Sequence, residues 1–209
     1  MRARPISPSR VVTELSERIA AVGRSSWLRV AVDGAPPAAP WDLADALAAP
    51  LRALGRDVVR VSARGFLRPA SLRYEFGRDD PDAFYDEWLD VNGLVREVLA
   101  PLEPGGTGRV LPSLWDAERD RATRARYVDV QPGGVCLLDG SLLLGRGLPL
   151  ELTVHLTLSA GALARRTPDD RMWTLPAYAR YDAEVAPVRT ADVVLKVDDP
   201  EHPALITAA

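Results

Sequence analysis

Lysine is nearly missing from this chain. Of 26 basic side chains in 209 residues, Lys196 alone is a lysine and the others are arginines. Any chemistry that needs a lysine must therefore use a position near the C-terminus, and a guanidinium cannot stand in as a base because it stays protonated. Cysteine is as scarce: the single Cys136 excludes an internal disulfide, and with only His155 and His202 beside it a Cys/His zinc site is excluded too. Basic charge gives no excess, since 29 acidic residues face the 26 basic ones for a net charge of −3 and a pI near 5.5, which rules out a strongly basic nucleic-acid binder. Long apolar runs are absent as well. The longest stretch without Asp, Glu, Lys or Arg, Leu152 to Ala164, falls short of the roughly 20 residues a membrane-spanning helix needs. The opening MRARPISPSR carries positive charge without an apolar core behind it and does not read as a secretory signal. These absences predict a cytoplasmic protein with no membrane and no nucleic acid among its partners.

The hydrophobic share of 47% is enough to close one sizeable core, so residues 1–209 are expected to form a single domain. Val11, Val12, Leu15, Ile19 and Val22 recur at helical spacing before Gly23, which predicts an N-terminal helix within residues 1–24 that packs on the rest. The run from Leu28 to Gly34 reads as a strand ending in Asp-Gly. A proline-rich loop follows, then a helical pattern from Trp41 to Leu54 and a second strand from Val58 to Ser62. Both strands are too apolar to face water on either side, as in a parallel sheet covered by helices. Further on, the pattern predicts helices over Asp79–Leu89 and Leu94–Leu99, and a loop at Gly105–Gly108. Strands are predicted over Val110–Trp115, Ala125–Val130, Val135–Leu138 and Leu150–Leu158, the last leading into a helix over Ala160–Arg166, and a final strand over Ala191–Val197. The fold class is α/β, a mostly parallel sheet flanked by helices.

Five segments carry a resemblance to a known family: VAVDG at Val30 to Gly34, SARGFLRP at Ser62 to Pro69, RYEFGRDDPDAFYDEWLD at Arg73 to Asp90, CLLDGSLLL at Cys136 to Leu144, and VHLTLSAGALARR at Val154 to Arg166. In this order and spacing the chain resembles the uridine kinase-like proteins of the P-loop nucleoside kinase superfamily, over nearly its whole length. The resemblance implies a P-loop NTPase architecture, ATP and magnesium as cofactors, and a nucleoside-like acceptor.

The residues depart from that family where phosphate would be handled. A phosphate-binding loop reads G-x-x-x-x-G-K-[ST], with backbone N–H groups forming a nest, a lysine on the outer phosphates and a hydroxyl on magnesium. Here the eight positions run from Gly34 to Trp41. Ala39 stands for the second glycine, Pro40 for the lysine and Trp41 for the hydroxyl residue, while Pro36, Pro37 and Pro40 bring no N–H at all. The position of the family's catalytic base, in the segment after the second strand, holds Arg64, which leaves no catalytic residue to name. Asp33 and Gly34 are what remains of the cofactor-binding loop, and Asp139 stands where the family's magnesium-associated acid occurs.

The acceptor side is better kept. DDPDAF at Asp79 to Phe84 is similar to the D-H-P-D-A-F stretch of uridine kinases, with Asp80 in place of the histidine; Arg73, Tyr74, Gly77, Arg78 and Asp79 look like actinobacterial-type members. Tyr74 and Phe84 could stack on a planar ligand, and Arg73 or Arg78 could meet a carboxylate or phosphate. Arg165, Arg166 and Arg171 fall where related kinases carry a lid. Trp27, Trp41, Trp88, Trp115 and Trp173 are candidates for an exposed anchor to a second copy or another protein. The expected function is a degenerate kinase, a pseudoenzyme that binds a ligand or a partner and needs no cofactor. The alternative is an active nucleoside or small-molecule kinase that uses ATP and magnesium at an atypical phosphate site.

Overall fold

The computed structural model describes residues 2–23 and 25–207. Met1 and Arg24 of the expected N-terminal segment lie outside the described residues, as do Ala208 and Ala209.

The chain opens with β1 (Arg2–Pro5) and α1 (Pro8–Ala21). Ser7 caps α1 by accepting a hydrogen bond from the Arg10 N–H, Pro8 occupies the first turn, and Val11, Leu15 and Ile19 form the buried stripe. Full burial of a side chain such as Ile19 contributes about 1.5–3 kcal/mol, which holds the helix on the sheet. Next come β2 (Leu28–Gly34), α2 (Pro40–Ala53) and β3 (Val58–Ser62), close to the ranges the sequence predicts. The helices α3 (Ala70–Arg73), α4 (Pro81–Asp86) and α5 (Val91–Leu94) are short. Asp80 ends the chain's freedom to start α4 earlier, because its carboxylate caps the Asp82 and Ala83 N–H groups. After α5 the chain continues through a wide turn over Val95–Leu99.

The region from 109 to 130 departs from expectation. In place of two strands of the main sheet it forms two small antiparallel ribbons, β4 (Arg109–Val110) with β7 (Val128–Asp129), and β5 (Trp115–Asp116) with β6 (Arg121–Ala122). Pro112 cannot donate to a sheet, Asp120 and Arg124 sit at positive φ, and few side chains besides Val110 and Val130 are buried, so no two-sided apolar strand can form. The rest follows as β8 (Val135–Gly140), β9 (Leu152–Thr157), α6 (Ala160–Arg166), α7 (Leu175–Glu184), α8 (Pro187–Thr190), β10 (Val193–Lys196) and β11 (Ala204–Thr207).

The seven-stranded sheet has the order β1-β11-β10-β9-β2-β8-β3. The five strands from β10 to β3 are parallel, and β11 and β1 extend the edge antiparallel. One face packs on α1 and α2 through Leu15, Ile19, Leu47 and Leu51. The other packs on Phe66, Leu94, Val98 and Leu99. A smaller cluster of Tyr85, Leu142, Leu144, Tyr178 and Tyr181 ties α4 and α7 together beyond the strand ends. No described helix is long and apolar enough to cross a membrane.

Candidate functional site

Ligands of open parallel sheets bind beyond the carboxyl ends of the strands. In this chain the register sets Asp33 beside Gly140 and His155, and Asp139 beside Ser62, all at those ends. A cleft of about 980 Å³ opens above them, walled by the proline loop, the Arg64 turn, the Tyr74 to Leu89 segment, the 113–118 loop and the end of β8. Thr167, Arg171, Thr174 and Tyr178 close it from α7 and the segment before it.

The loop from Gly34 to Trp41 is folded on itself. Pro36–Ala38 forms one tight turn, in which the Ala38 N–H donates to the Ala35 carbonyl at 2.8 Å and the Ala39 N–H to the Pro36 carbonyl at 2.9 Å. With Pro36, Pro37 and Pro40 lacking donors, the middle of the loop offers a ligand no amide nest. Ala39 takes a left-handed conformation, φ 51° and ψ 56°, as the residue before α2. Pro40 then opens the helix and Asp42 sets a carboxylate in its first turn. Gly34 is closely packed, since a Cβ there would lie 3.1 Å from Leu156. Lys196 is paired with Asp198 at 3.2 Å and is not part of the cleft wall.

Asp139 is 2% exposed and both of its oxygens accept hydrogen bonds: Oδ1 from Arg60 Nη2 at 2.7 Å, Oδ2 from the Ser62 hydroxyl at 2.8 Å. Arg60 is further held by Asp45 and by the Leu137 carbonyl. Asp33 is enclosed in the same way. Its Oδ2 accepts from the Tyr181 hydroxyl at 2.9 Å and lies 2.7 Å from His155 Nδ1, and its Oδ1 accepts from the Leu143 N–H. His155 is thus a satisfied sheet residue, and burial and Asp33 push the Tyr181 hydroxyl up from its ordinary pKa. Cys136, wholly buried, has its thiol pushed up to about 12 by desolvation and acts as a small hydrophobe.

Of the acceptor-side candidates, Arg73, Tyr74 and Phe84 line the cleft, whereas Arg78 and Asp79 are exposed outside it. Arg73 is 3% exposed, with its donors spent on the Arg68 and Ala117 carbonyls and the Tyr74 hydroxyl and with Asp120 3.9 Å away. Arg78 stacks over the outer face of the Tyr74 ring. Phe84 meets Trp88, Trp173 and Tyr178 edge to face, which makes this wall a continuous aromatic layer. Arg165 is exposed away from the cleft, and Arg166 donates to the carbonyls of Val197 and Asp198, so of the three lid arginines only Arg171 reaches the cleft. Arg64 sits at the rim, loosely paired with Glu118 at 3.6 Å. None of the five tryptophans is an exposed anchor: Trp88 is buried and the others are half-buried, Trp27 donating to the Val130 carbonyl.

Sequence reasoning overlooks Arg60, Ser141, Arg146, Tyr178 and Tyr181. Alternation along β3 puts Arg60 on a face opposite Val59 and Val61, a faint signal. The partners of Tyr181 are 37 and 148 residues away, and nothing local announces them.

No protein-family model and no curated protein matches the chain. Solved structures are. A protein described as a possible uridine kinase from Bacillus stearothermophilus superposes with a TM-score of 0.71 at 20% identity, over 88% of this chain and 96% of that one. D-glycerate 3-kinase from Cryptococcus neoformans gives a TM-score of 0.54 at 15% identity, over 84% of this chain and 80% of that one. The order of the parallel strands, the flanking helices and these superpositions together establish that the chain has the α/β fold of the P-loop kinases.

Proposed function

We propose that this protein is a small-molecule-binding member of the P-loop kinase fold that has given up ATP-dependent phosphoryl transfer. The observation that carries the reading is the hydrogen-bond state of the loop after β2: three prolines without N–H groups, and two alanine amides turned onto the loop's own carbonyls. A charge-assisted hydrogen bond contributes roughly 1.5–3 kcal/mol. Losing the loop lysine and several amides therefore removes several decades of triphosphate affinity.

The magnesium position supports the same reading. A magnesium ion keeps its waters and takes one or two carboxylates together with substrate phosphates. Asp139 is neutralised by Arg60 and satisfied by Ser62, the loop residue that would bring a hydroxyl is Trp41, and no cluster of three or more metal-ligating side chains occurs among the described residues. These residues do not fit the ion. Arg64, always protonated, offers no base for an acceptor hydroxyl. What persists is a cleft with an aromatic wall, suited to a small, nucleoside-like ligand in the cytoplasm. The second reading, an active kinase with an atypical phosphate site, draws on Arg171 and Arg146 facing the same cleft as Asp139.

Titration calorimetry with ATP, with and without magnesium, separates the two, backed by thermal shift because a ligand that binds the native state raises apparent stability by RT ln(1 + [L]/Kd). The proposal expects neither heat nor shift at millimolar ATP. Micromolar, magnesium-dependent binding, with ATP consumption abolished by Asp139→Ala, would establish the kinase instead.

A further inference from the structure

Four guanidinium groups, those of Arg64, Arg73, Arg146 and Arg171, line one cleft in a chain whose net charge is −3. The acids in the same wall do not balance them. Asp139 belongs to Arg60, and Asp116 is committed to the Glu118 and Arg119 N–H groups and the Arg119 side chain. Glu118 faces solvent beside Arg64. Arg146 is the least compensated. Its Nε donates to the Leu142 carbonyl at 2.5 Å and its Nη2 to the Tyr85 carbonyl, it stacks 5.7 Å from the Tyr85 ring centre, and among the described residues no carboxylate lies within ion-pairing distance of it. Desolvation by burial pushes its pKa down, outweighing the more distant charges of Asp86 and Asp33, which act the other way without pairing with it directly. A cation taken from water whose direct hydrogen-bond partners are neutral carbonyl oxygens favours a ligand that brings an anion into contact with it.

The rest of the wall says what the anion is attached to. Tyr74, Phe84, Trp115 and Leu142 present flat and apolar surface, and Phe84 joins the aromatic layer to the Tyr178 side of the cleft, where Arg146 and Leu142 stand. A single guanidinium fork matches the two oxygens of a carboxylate, while the amide nest that a phosphate dianion draws on is spent inside the proline loop. We infer that the cleft binds a small planar carboxylate, its ring against the aromatic wall and its carboxylate paired with Arg146. This inference rests on the small-molecule-binding reading above and names its ligand class.

Titration calorimetry on the intact chain with orotate, uracil, benzoate and magnesium-ATP tests it. Orotate carries the carboxylate on a pyrimidine ring, uracil is the same ring without it, and benzoate carries it on a plain ring. Orotate should bind at least about tenfold more tightly than uracil, and Arg146→Gln should remove about that factor for orotate while leaving uracil unchanged. Arg165→Gln, outside the cleft, should alter neither. Binding of orotate to the native chain should also weaken with added salt more than that of uracil, a readout that holds if Arg146→Gln fails to fold. Equal affinities for orotate and uracil, salt-independent orotate binding, full orotate affinity in a folded Arg146→Gln chain, or no binding of either carboxylate would each overturn the inference. Uracil binding without preference for orotate would leave the small-molecule-binding reading intact. Micromolar magnesium-ATP binding would overturn that reading itself.

Discussion

Arg60 places Nη2 2.7 Å from Oδ1 of Asp139, so the acid at the end of β8 has a guanidinium as its cation. Arg60 keeps 21% of its side chain exposed and Asp139 only 2%. Removing one member of such a pair leaves the other charge buried without compensation, which is costlier than replacing both. Arg60→Ala should destabilise the fold by about 3 kcal/mol, whereas Arg60→Met combined with Asp139→Leu should cost clearly less. Urea unfolding of the two variants checks this; equal losses would mean that the two side chains are not coupled energetically.

The strain at Ala39 gives a second expectation. A left-handed conformation costs an alanine about 1–2 kcal/mol, and glycine avoids this at some entropic cost to the folded state. Ala39→Gly alone should therefore raise stability by about 0.5–1 kcal/mol, read as a higher melting temperature. Combined with Pro40→Lys, Trp41→Thr and Arg64→Asp, it should create measurable ATP binding on this scaffold. A folded fourfold variant that still ignores ATP would show that the remaining Pro36 and Pro37 or the Arg60–Asp139 pair is enough to block the site.

Tyr181 joins α7 to the strand ends. Its hydroxyl donates to Asp33 and accepts from the Leu144 N–H at 3.0 Å. Tyr181→Phe strands a buried amide and withdraws one donor from a buried carboxylate, so a loss of about 2 kcal/mol is expected. Denaturant unfolding measures it, and a change below a few tenths of that would mean water replaces the hydroxyl.

Asp120 fastens the 113–120 loop to α3. Its carboxyl is held below the ordinary range chiefly by the Ala70 N–H, at 2.7 Å, and next by the Trp115 indole N–H, at 3.0 Å. A carboxylate lowered in the folded state contributes fully above its unfolded pKa of about 4 and loses that contribution as pH falls through the lower folded value. Acidification below about pH 4 should free the Trp115 wall of the cleft, visible as a change in tryptophan fluorescence. Asp120→Asn should flatten that acid transition; a transition unchanged in the variant would assign it to other carboxylates.

Much of this protein could be read along the chain. The apolar strands β2, β3, β8 and β9, the Asp-Gly ends and the 3.6-residue stripe of α1 are local patterns, and they determine a helix-covered parallel sheet because no other arrangement buries strands that are apolar on both faces. The three prolines and the missing lysine were equally legible, since the absence of an N–H or an ammonium group needs no neighbours to be known. Tertiary structure decided the rest. β1 shows no alternation, being exposed along its length, and exists only because β11 offers its edge. Which arginine is held in a structural pair and which lines the cleft was decided by tertiary contacts: Arg60 meets Asp139 across 79 residues, Arg166 turns to the end of β10, and Arg146 lines the cleft, bonded to the Leu142 and Tyr85 carbonyls. Charge in the sequence says only that a guanidinium is present. Its role depends on which oxygens the fold brings within 3 Å of it, and pairwise distance between remote residues is not a property of either residue's neighbours in the chain.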